Sequence, residues 1–382
     1  MIRADHAEEE PFLGAQKVAV SEPSHKLNLT LFEHSTVYVF DLKEVCFHLN
    51  SWTPVDGDPF QTSQGFIFYA FGYEHQTDRV TAFLKYIPKQ LQHHFPLQYV
   101  KRRWKLDSTT FVRPTELYNA TAFQKLTESF RHNFPEYVYF CPFRHKELVS
   151  PPKKIVKRVF VPSRCLQALL QQKQHDSLQK MTLDLLNLLS AESEISLPDF
   201  GLHGSLALDM QSTVDTDIDL VIYGSENFRK LEAAVNKLSG ERELDAVGRN
   251  RGVYKGKPFV YNAVRMPEEV KIRYGDCMYF PMRPIAFRCK VTDDNEAMFR
   301  PAVFQVSEYQ PLDESSQLEK ARIPETVVSM IGCHRNAARK GDNAKVAGIL
   351  EQVENVETGK ITYQVVVGSG TSEEEHLCKV LN

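Results

Sequence analysis

The sequence predicts a mixed fold, between α+β and α/β: a core with a short mixed sheet and flanking helices, an N-terminal α+β unit and a small C-terminal β module. Three observations predict it. The first third holds runs rich in aromatic and β-branched residues, such as "GFIFYAFGY" and "RVTAFLKYIP", which suit strands. The middle holds helix-like runs on either side of one apolar strand, Ile218–Tyr223. The last third returns to short alternating runs joined by turn residues. At 382 residues, the chain has room for two or three domains.

Residues 1–24 are polar and poor in aromatics, a composition that reads as a flexible tail. Residues 25–150 read as the N-terminal α+β domain. "TVYVFDLKEVCFHL" is expected as a strand before the two already quoted, and "PTELYNATAFQKLTESFRHNF" as a helix with Leu117, Phe123 and Leu126 on one face. Residues 151–162 read as a linker, because Pro151-Pro152 favours extended chain and four cations follow.

Residues 163–310 read as the central domain. "SRCLQALLQQ" is expected as a helix capped by Ser163, and "DSLQKMTLDLLNLLSAE" as a second. A short strand leads into "HGSLALDMQSTVDTDIDLVIYG", and "SENFRKLEAAVNKLSG", capped by Ser225, forms the next helix. "RPIAFRCKVTDD" and "FRPAVFQVSEY" read as a hairpin. Residues 320–382 read as a small, barrel-like β module with a turn at Glu357-Thr358-Gly359-Lys360.

The composition excludes several classes. Net charge is −3, so any nucleic-acid contact must come from local basic patches. Seven cysteines are scattered without a C-x-x-C pair, which argues against a disulfide framework and for a reducing, cytoplasmic setting. No apolar run is long enough for a membrane span, so no membrane partner is expected. A P-loop, an H-E-x-x-H pair and a G-x-S-x-G elbow are all missing.

The chemistry concentrates between His203 and Gly224. Residues two apart on a strand share a face, so Asp217 and Asp219 point together while Ile218, Leu220 and Ile222 point the other way. Two adjacent carboxylates stay ionised when a cation bridges them or water screens them. A hard dication, Mg²⁺ or Mn²⁺, suits carboxylates, waters and substrate phosphates. Gly204-Ser205 supplies a bend where backbone can approach a phosphate.

Gly-Ser, eleven residues, Asp-x-Asp, an apolar strand and a helix together resemble the DNA polymerase beta-like nucleotidyltransferase superfamily. The resemblance is closest to archaeal predicted nucleotidyltransferases with extensions on both sides, and it is strong over roughly residues 195–240. It implies a metal-dependent nucleotidyltransferase that moves a nucleoside monophosphate from an NTP to a hydroxyl on RNA, a protein or a small molecule. Gly204 and Ser205 would bind the nucleotide, and Asp217 and Asp219 would hold the metals. The alternative is a nucleic-acid-binding or scaffold protein that keeps the fold without turnover.

Two departures stand out. Superfamily members often carry a glycine four or five residues after Gly-Ser, where this chain has Leu208-Asp209. They also place a third carboxylate on a later strand. Asp294 is the candidate here by strand phase, with Asp293 and Asp245 also considered. Residues 249–290 hold ten lysines or arginines interleaved with Tyr254, Phe259, Tyr261 and Tyr274, a pattern suited to RNA or to a solvated surface. The basic stretch Lys101–Lys105 reads as surface rather than site.

Overall fold

The computed structural model describes residues 52–116, 119–212 and 216–380. The tail 1–24 and the strand expected over 36–49 lie outside them.

The N-terminal unit is a six-stranded sheet. Its strands are β1 (Pro59–Thr62), β2 (Ile67–Ala70), β3 (Ala82–Pro88), β4 (Trp104–Leu106), β5 (Thr109–Val112) and, after a helix and a hairpin, β8 (Val156–Val159), in the order β4-β5-β3-β2-β1-β8. The helix α1 (Ala120–Asn133) starts at Asn119, whose side chain accepts from the Ala122 N–H at 2.7 Å. The hairpin is β6 (Val138–Cys141) with β7 (Lys146–Val149). The segment expected as a linker therefore contains an edge strand: Phe60 pairs with Val159 and Thr62 with Val156, and a bulge between those pairs lets both valines reach the core.

Both faces of this sheet are covered. Phe66, Phe68 and Ala70 pack with Leu126 and Phe130 of α1. Ile67, Tyr69 and Tyr86 instead pack with Trp104, Leu208 and Met210, which brings the second face against the segment after Gly204-Ser205.

The central unit begins with α2 (Pro162–Gln171) and α3 (Ser177–Ser193). Proline starts α2 one residue before the expected cap, with Val161 at the cap position, because its missing N–H costs nothing in a first turn. Asp176 and Gln179 close a capping box at the start of α3. Strand β9 (Phe200–Leu202), the helical turn α4 (Gly204–Ala207), strand β10 (Ile218–Tyr223) and helix α5 (Ser225–Lys237) follow. Ser225 does not cap α5. Gly224, at φ +93°, takes the cap position, and the Ser225 N–H and hydroxyl both donate to Glu269 at 2.8 and 2.5 Å.

Three more strands, β11 (Leu244–Ala246), β12 (Arg251–Tyr254) and β13 (Lys257–Val264), complete a five-stranded mixed sheet in the order β11-β12-β13-β10-β9. β10 runs parallel to β13 and antiparallel to β9. Its inward residues Ile218, Leu220 and Ile222 join Phe259, Tyr261, Leu185, Leu189, Phe228 and Leu231 in one core. The helices thus cover one face of the sheet, leaving the other to the cleft.

The C-terminal unit is a barrel that starts earlier than expected. β14 (Cys277–Glu296), β15 (Ala302–Pro311), β16 (Thr326–Ser329), β17 (Asn343–Asn355) and β18 (Ile361–Val367) close a ring, with β19 (His376–Lys379) added along β17. Closure is possible because β14, 20 residues long, pairs with β17 over its first part and β15 over its second. Ile285, Phe287, Cys289 and Val291 point inward as their alternation requires. The hairpin assigned to the central domain from sequence therefore belongs to the barrel. Among the described residues, no helix is long and apolar enough to cross a membrane.

Candidate functional site

Asp217 and Asp219 open β10, where strand phase turns both toward a cleft of about 1100 Å³. Gly204 and Ser205 line the same cleft. The turn meets the strand through the His203 N–H, which donates to the Asp219 carbonyl at 2.9 Å, and the Met210 N–H closes the turn on the Ser205 carbonyl at 2.8 Å. Gly204 lies at φ +63°, and a Cβ there would stand 2.8 Å from Cγ of Asp219 and closer still to Oδ2. Only glycine lets backbone and carboxylate share that space.

The glycine missing after Gly-Ser has a stand-in. Asp209 adopts φ +53°, a left-handed conformation that aspartate reaches more readily than most residues. The bend survives the change of residue.

Burial sets the electrostatics. The Asp219 carboxyl is pushed up to about 6, chiefly by burial and further by Asp217; Lys85, Arg113 and Arg251 oppose the rise. Asp217 is exposed. His203 is pulled down to about 4, mainly by burial. Its Nε2 lies 2.6 Å from the Gly57 carbonyl, which only accepts, so Nε2 carries the proton. The ring also packs on Tyr69, 4.8 Å between centroids.

All three units line the cleft. Lys85, Arg102, Trp104 and Arg113 come from the N-terminal unit, Arg249 from the loop before β12, Arg251 from the start of β12, and Arg300 and Arg335 from the C-terminal unit. Arg102 donates to the Thr216 hydroxyl at 2.8 Å, tying the N-terminal sheet to the residue before Asp217. Arg102 and Arg113 each lie 5.1 Å from the Trp104 ring. Arg300 Nε and Arg335 Nη2 converge on the buried Asp56 at 2.7 and 3.0 Å, and Arg335 Nη1 reaches Asn262 at 2.8 Å. That group joins the three units at the cleft floor.

The structure thus brings together Gly204, Ser205, Asp217 and Asp219, and does not bring Asp294 to them. Asp294 Oδ2 accepts from Arg229 of α5 at 2.9 Å and from Arg339 at 3.3 Å, so it joins the barrel to the central unit. Asp293 accepts from Asn295, and Asp245 is exposed on edge strand β11. None of the three lines the cleft. On β13, bonded parallel to β10, Val260 stands opposite Asp219, and Val260, Asn262 and Val264 line the cleft.

Sequence reasoning placed the basic patch poorly. Of the ten cations in 249–290, only Arg249 and Arg251 line the cleft, while Tyr254, Phe259 and Tyr261 are core. The stretch read as surface, Lys101–Lys105, supplies Arg102 and Trp104. Its signal was a tryptophan two residues after an arginine in extended chain, which puts Arg102 and Trp104 on one side and the exposed Lys101, Arg103 and Lys105 on the other.

The chain is 22% identical to an uncharacterized protein of Methanocaldococcus jannaschii over 341 residues. The match covers 82% of this chain and 94% of that one. No family model matches the chain, and no solved structure matches it.

Among the described residues, no group of three or more histidines, cysteines or acids could hold a metal. The two carboxylates at 217 and 219 fit a dication whose remaining ligands are waters and phosphates.

Proposed function

We propose that the chain is a metal-dependent nucleotidyltransferase, which moves a nucleoside monophosphate from an NTP to an acceptor. One observation carries this reading: the glycine bend at Gly204 abuts the carboxylate of Asp219, with Asp217 beside it, inside a cleft lined by lysine and arginine. Two like charges gathered beside a phosphate-sized bend are costly unless a dication and a polyphosphate occupy the site.

The chain's own residues supply the rest. The backbone at Gly204-Ser205 receives the triphosphate. Asp217 and Asp219 would hold a Mg²⁺, which when bound offsets charge on the triphosphate and the leaving pyrophosphate. Lys85, Arg113 and Arg251 add fixed positive charge where that negative charge develops. Trp104, in contact with both guanidinium groups, keeps Arg102 and Arg113 ordered in the cleft.

The second reading is a nucleic-acid-binding or scaffold protein without turnover, and the placement of Asp294 favours it, since that candidate third acid pairs with Arg229 and Arg339 away from the cleft and Val260 stands beside Asp219. The experiment is label transfer from α-labelled NTP with Mg²⁺, set beside calorimetric nucleotide uptake. Uptake and transfer that both disappear in Asp217→Asn with Asp219→Asn support the enzyme. Uptake without transfer to any acceptor supports the binding protein.

A further inference from the structure

Asp217 stands one residue before β10 and is exposed. Among the described residues, its side chain makes no hydrogen bond or ion pair. Packing therefore does not fix where this carboxylate points; the backbone that enters the strand does.

The residue before it, Thr216, is buried. Its hydroxyl oxygen accepts from the Ser212 N–H at 2.9 Å and from Arg102 Nη2 at 2.8 Å, which uses both lone pairs of a hydroxyl. One bond ties Thr216 to the chain behind it. The other ties it to the N-terminal unit.

Arg102 is placed for that bond by its own surroundings. The Val100 N–H donates to the Arg113 carbonyl at 3.0 Å, so the chain before β4 runs beside the chain after β5. Arg102 and Arg113 thereby meet one ring, that of Trp104, each at 5.1 Å, and Trp104 packs edge-on against Tyr86 at 5.2 Å. The two cations then divide the acid pair. Arg113 bonds the Tyr86 hydroxyl and acts on Asp219. Arg102 reaches the residue that carries Asp217. The other carboxylates lining the cleft are engaged elsewhere: Asp56 with Arg300 and Arg335, Glu116 with Asn119, and Glu375 with the Gly368 and Ser369 N–H groups.

We propose that Arg102 is a positioning residue of the metal site: through the Thr216 hydroxyl it holds Asp217 beside Asp219, and it does not hold phosphate. The inference rests on the nucleotidyltransferase reading, in which those two acids take a dication. It makes the N-terminal unit part of the metal site rather than only a wall of the cleft. Groups that orient a metal's ligands from behind typically change metal affinity about 10–100-fold when removed. An arginine on phosphate would instead change nucleotide affinity with or without metal.

The test uses the full chain in two measurements. First, Mn²⁺ alone is titrated with protein, and the signal of unbound Mn²⁺ is read by electron paramagnetic resonance. Arg102→Ala and Thr216→Val are each expected to weaken uptake about tenfold, and the double variant no further than either single one. Thr216→Ser keeps the hydroxyl and should bind as the wild type does. Second, NTP uptake is measured by calorimetry with a chelator present, so that only the protein's own groups hold the phosphates. Arg102→Ala is expected to match the wild type there, while Arg113→Ala binds more weakly. Thr216→Val removes the same bond from its other end, so it decides the first measurement if Arg102→Ala does not fold. Wild-type Mn²⁺ uptake in Arg102→Ala or Thr216→Val overturns the proposal. So do effects of the two substitutions that multiply in the double variant, a Thr216→Ser as weak as Thr216→Val, and a loss of metal-free NTP uptake in Arg102→Ala. All of these leave the nucleotidyltransferase reading standing. Wild-type protein that takes up no Mn²⁺ overturns both.

Discussion

The backbone of Gly204 and the carboxylate of Asp219 occupy one space: a methyl on residue 204 would meet Cγ of Asp219 at 2.8 Å and its Cβ at 3.1 Å. Gly204→Ala therefore faces a clash and a left-handed backbone together. The left-handed conformation alone costs an L-residue about 1–2 kcal/mol. The variant should melt several degrees lower and lose Mg²⁺-dependent nucleotide uptake. Wild-type affinity in isothermal calorimetry would show that the bend is not the phosphate seat.

Asp219 should be a residue that trades stability for function. Burial raises its folded value to about 6 from 3.8. Between those values the folded chain holds a proton that the unfolded chain has released, so this group's contribution falls as pH rises from about 4 to about 6 and stays low above. Asp219→Asn removes the penalty. Its gain, on the order of 1 kcal/mol after allowance for the water that reaches this half-buried carboxylate, should appear at pH 7.5 and shrink toward pH 4. Thermal melts at the two pH values check this, and an unchanged difference between them would contradict the burial argument.

Asp56 should be among the most sensitive positions outside the acid pair. Asp56→Ala leaves Arg300 and Arg335 without the buried carboxylate they share. Breaking such a group typically costs about 3–5 kcal/mol. Urea unfolding should report a loss of that order, with the three units loosening at their common joint.

Asp294→Asn separates joint from site. It weakens the ion pairs to Arg229 and Arg339 and should cost about 1–2 kcal/mol, given partial exposure. Label transfer per folded molecule should stay at the wild-type level. A loss of turnover with folding intact would restore Asp294 as a site residue.

Much of this arrangement was legible from local pattern. Alternation at Ile218, Leu220 and Ile222 fixed which way Asp217 and Asp219 point, because a strand has a period of two. The same rule placed Ile285, Phe287, Cys289 and Val291 inside the barrel. The apolar spacing of 177–193 and 225–237 gave both helices, though their caps differ: Gly224 stands where Ser225 was expected, and Pro162 starts a turn that was assigned to Ser163.

The failures share one cause. Whether a charged side chain meets solvent, another charge or a cleft depends on segments far away in the chain. Asp294 has suitable phase on its strand, yet Arg229 and Arg339 arrive from α5 and the loop before β17 to engage it. Arg102 lies over Trp104 two residues away, but its tie to the acid pair comes from Thr216, 114 residues later.

The sequence by itself determined the acid pair, its phase and the glycine bend, since those follow from backbone periodicity and from the one residue type lacking a Cβ. Only the tertiary structure decided what stands beside them: valine rather than a third acid, and arginines drawn from three units. Side-chain neighbours across a sheet and between units are set by register and packing, and neither is written in any short stretch of chain.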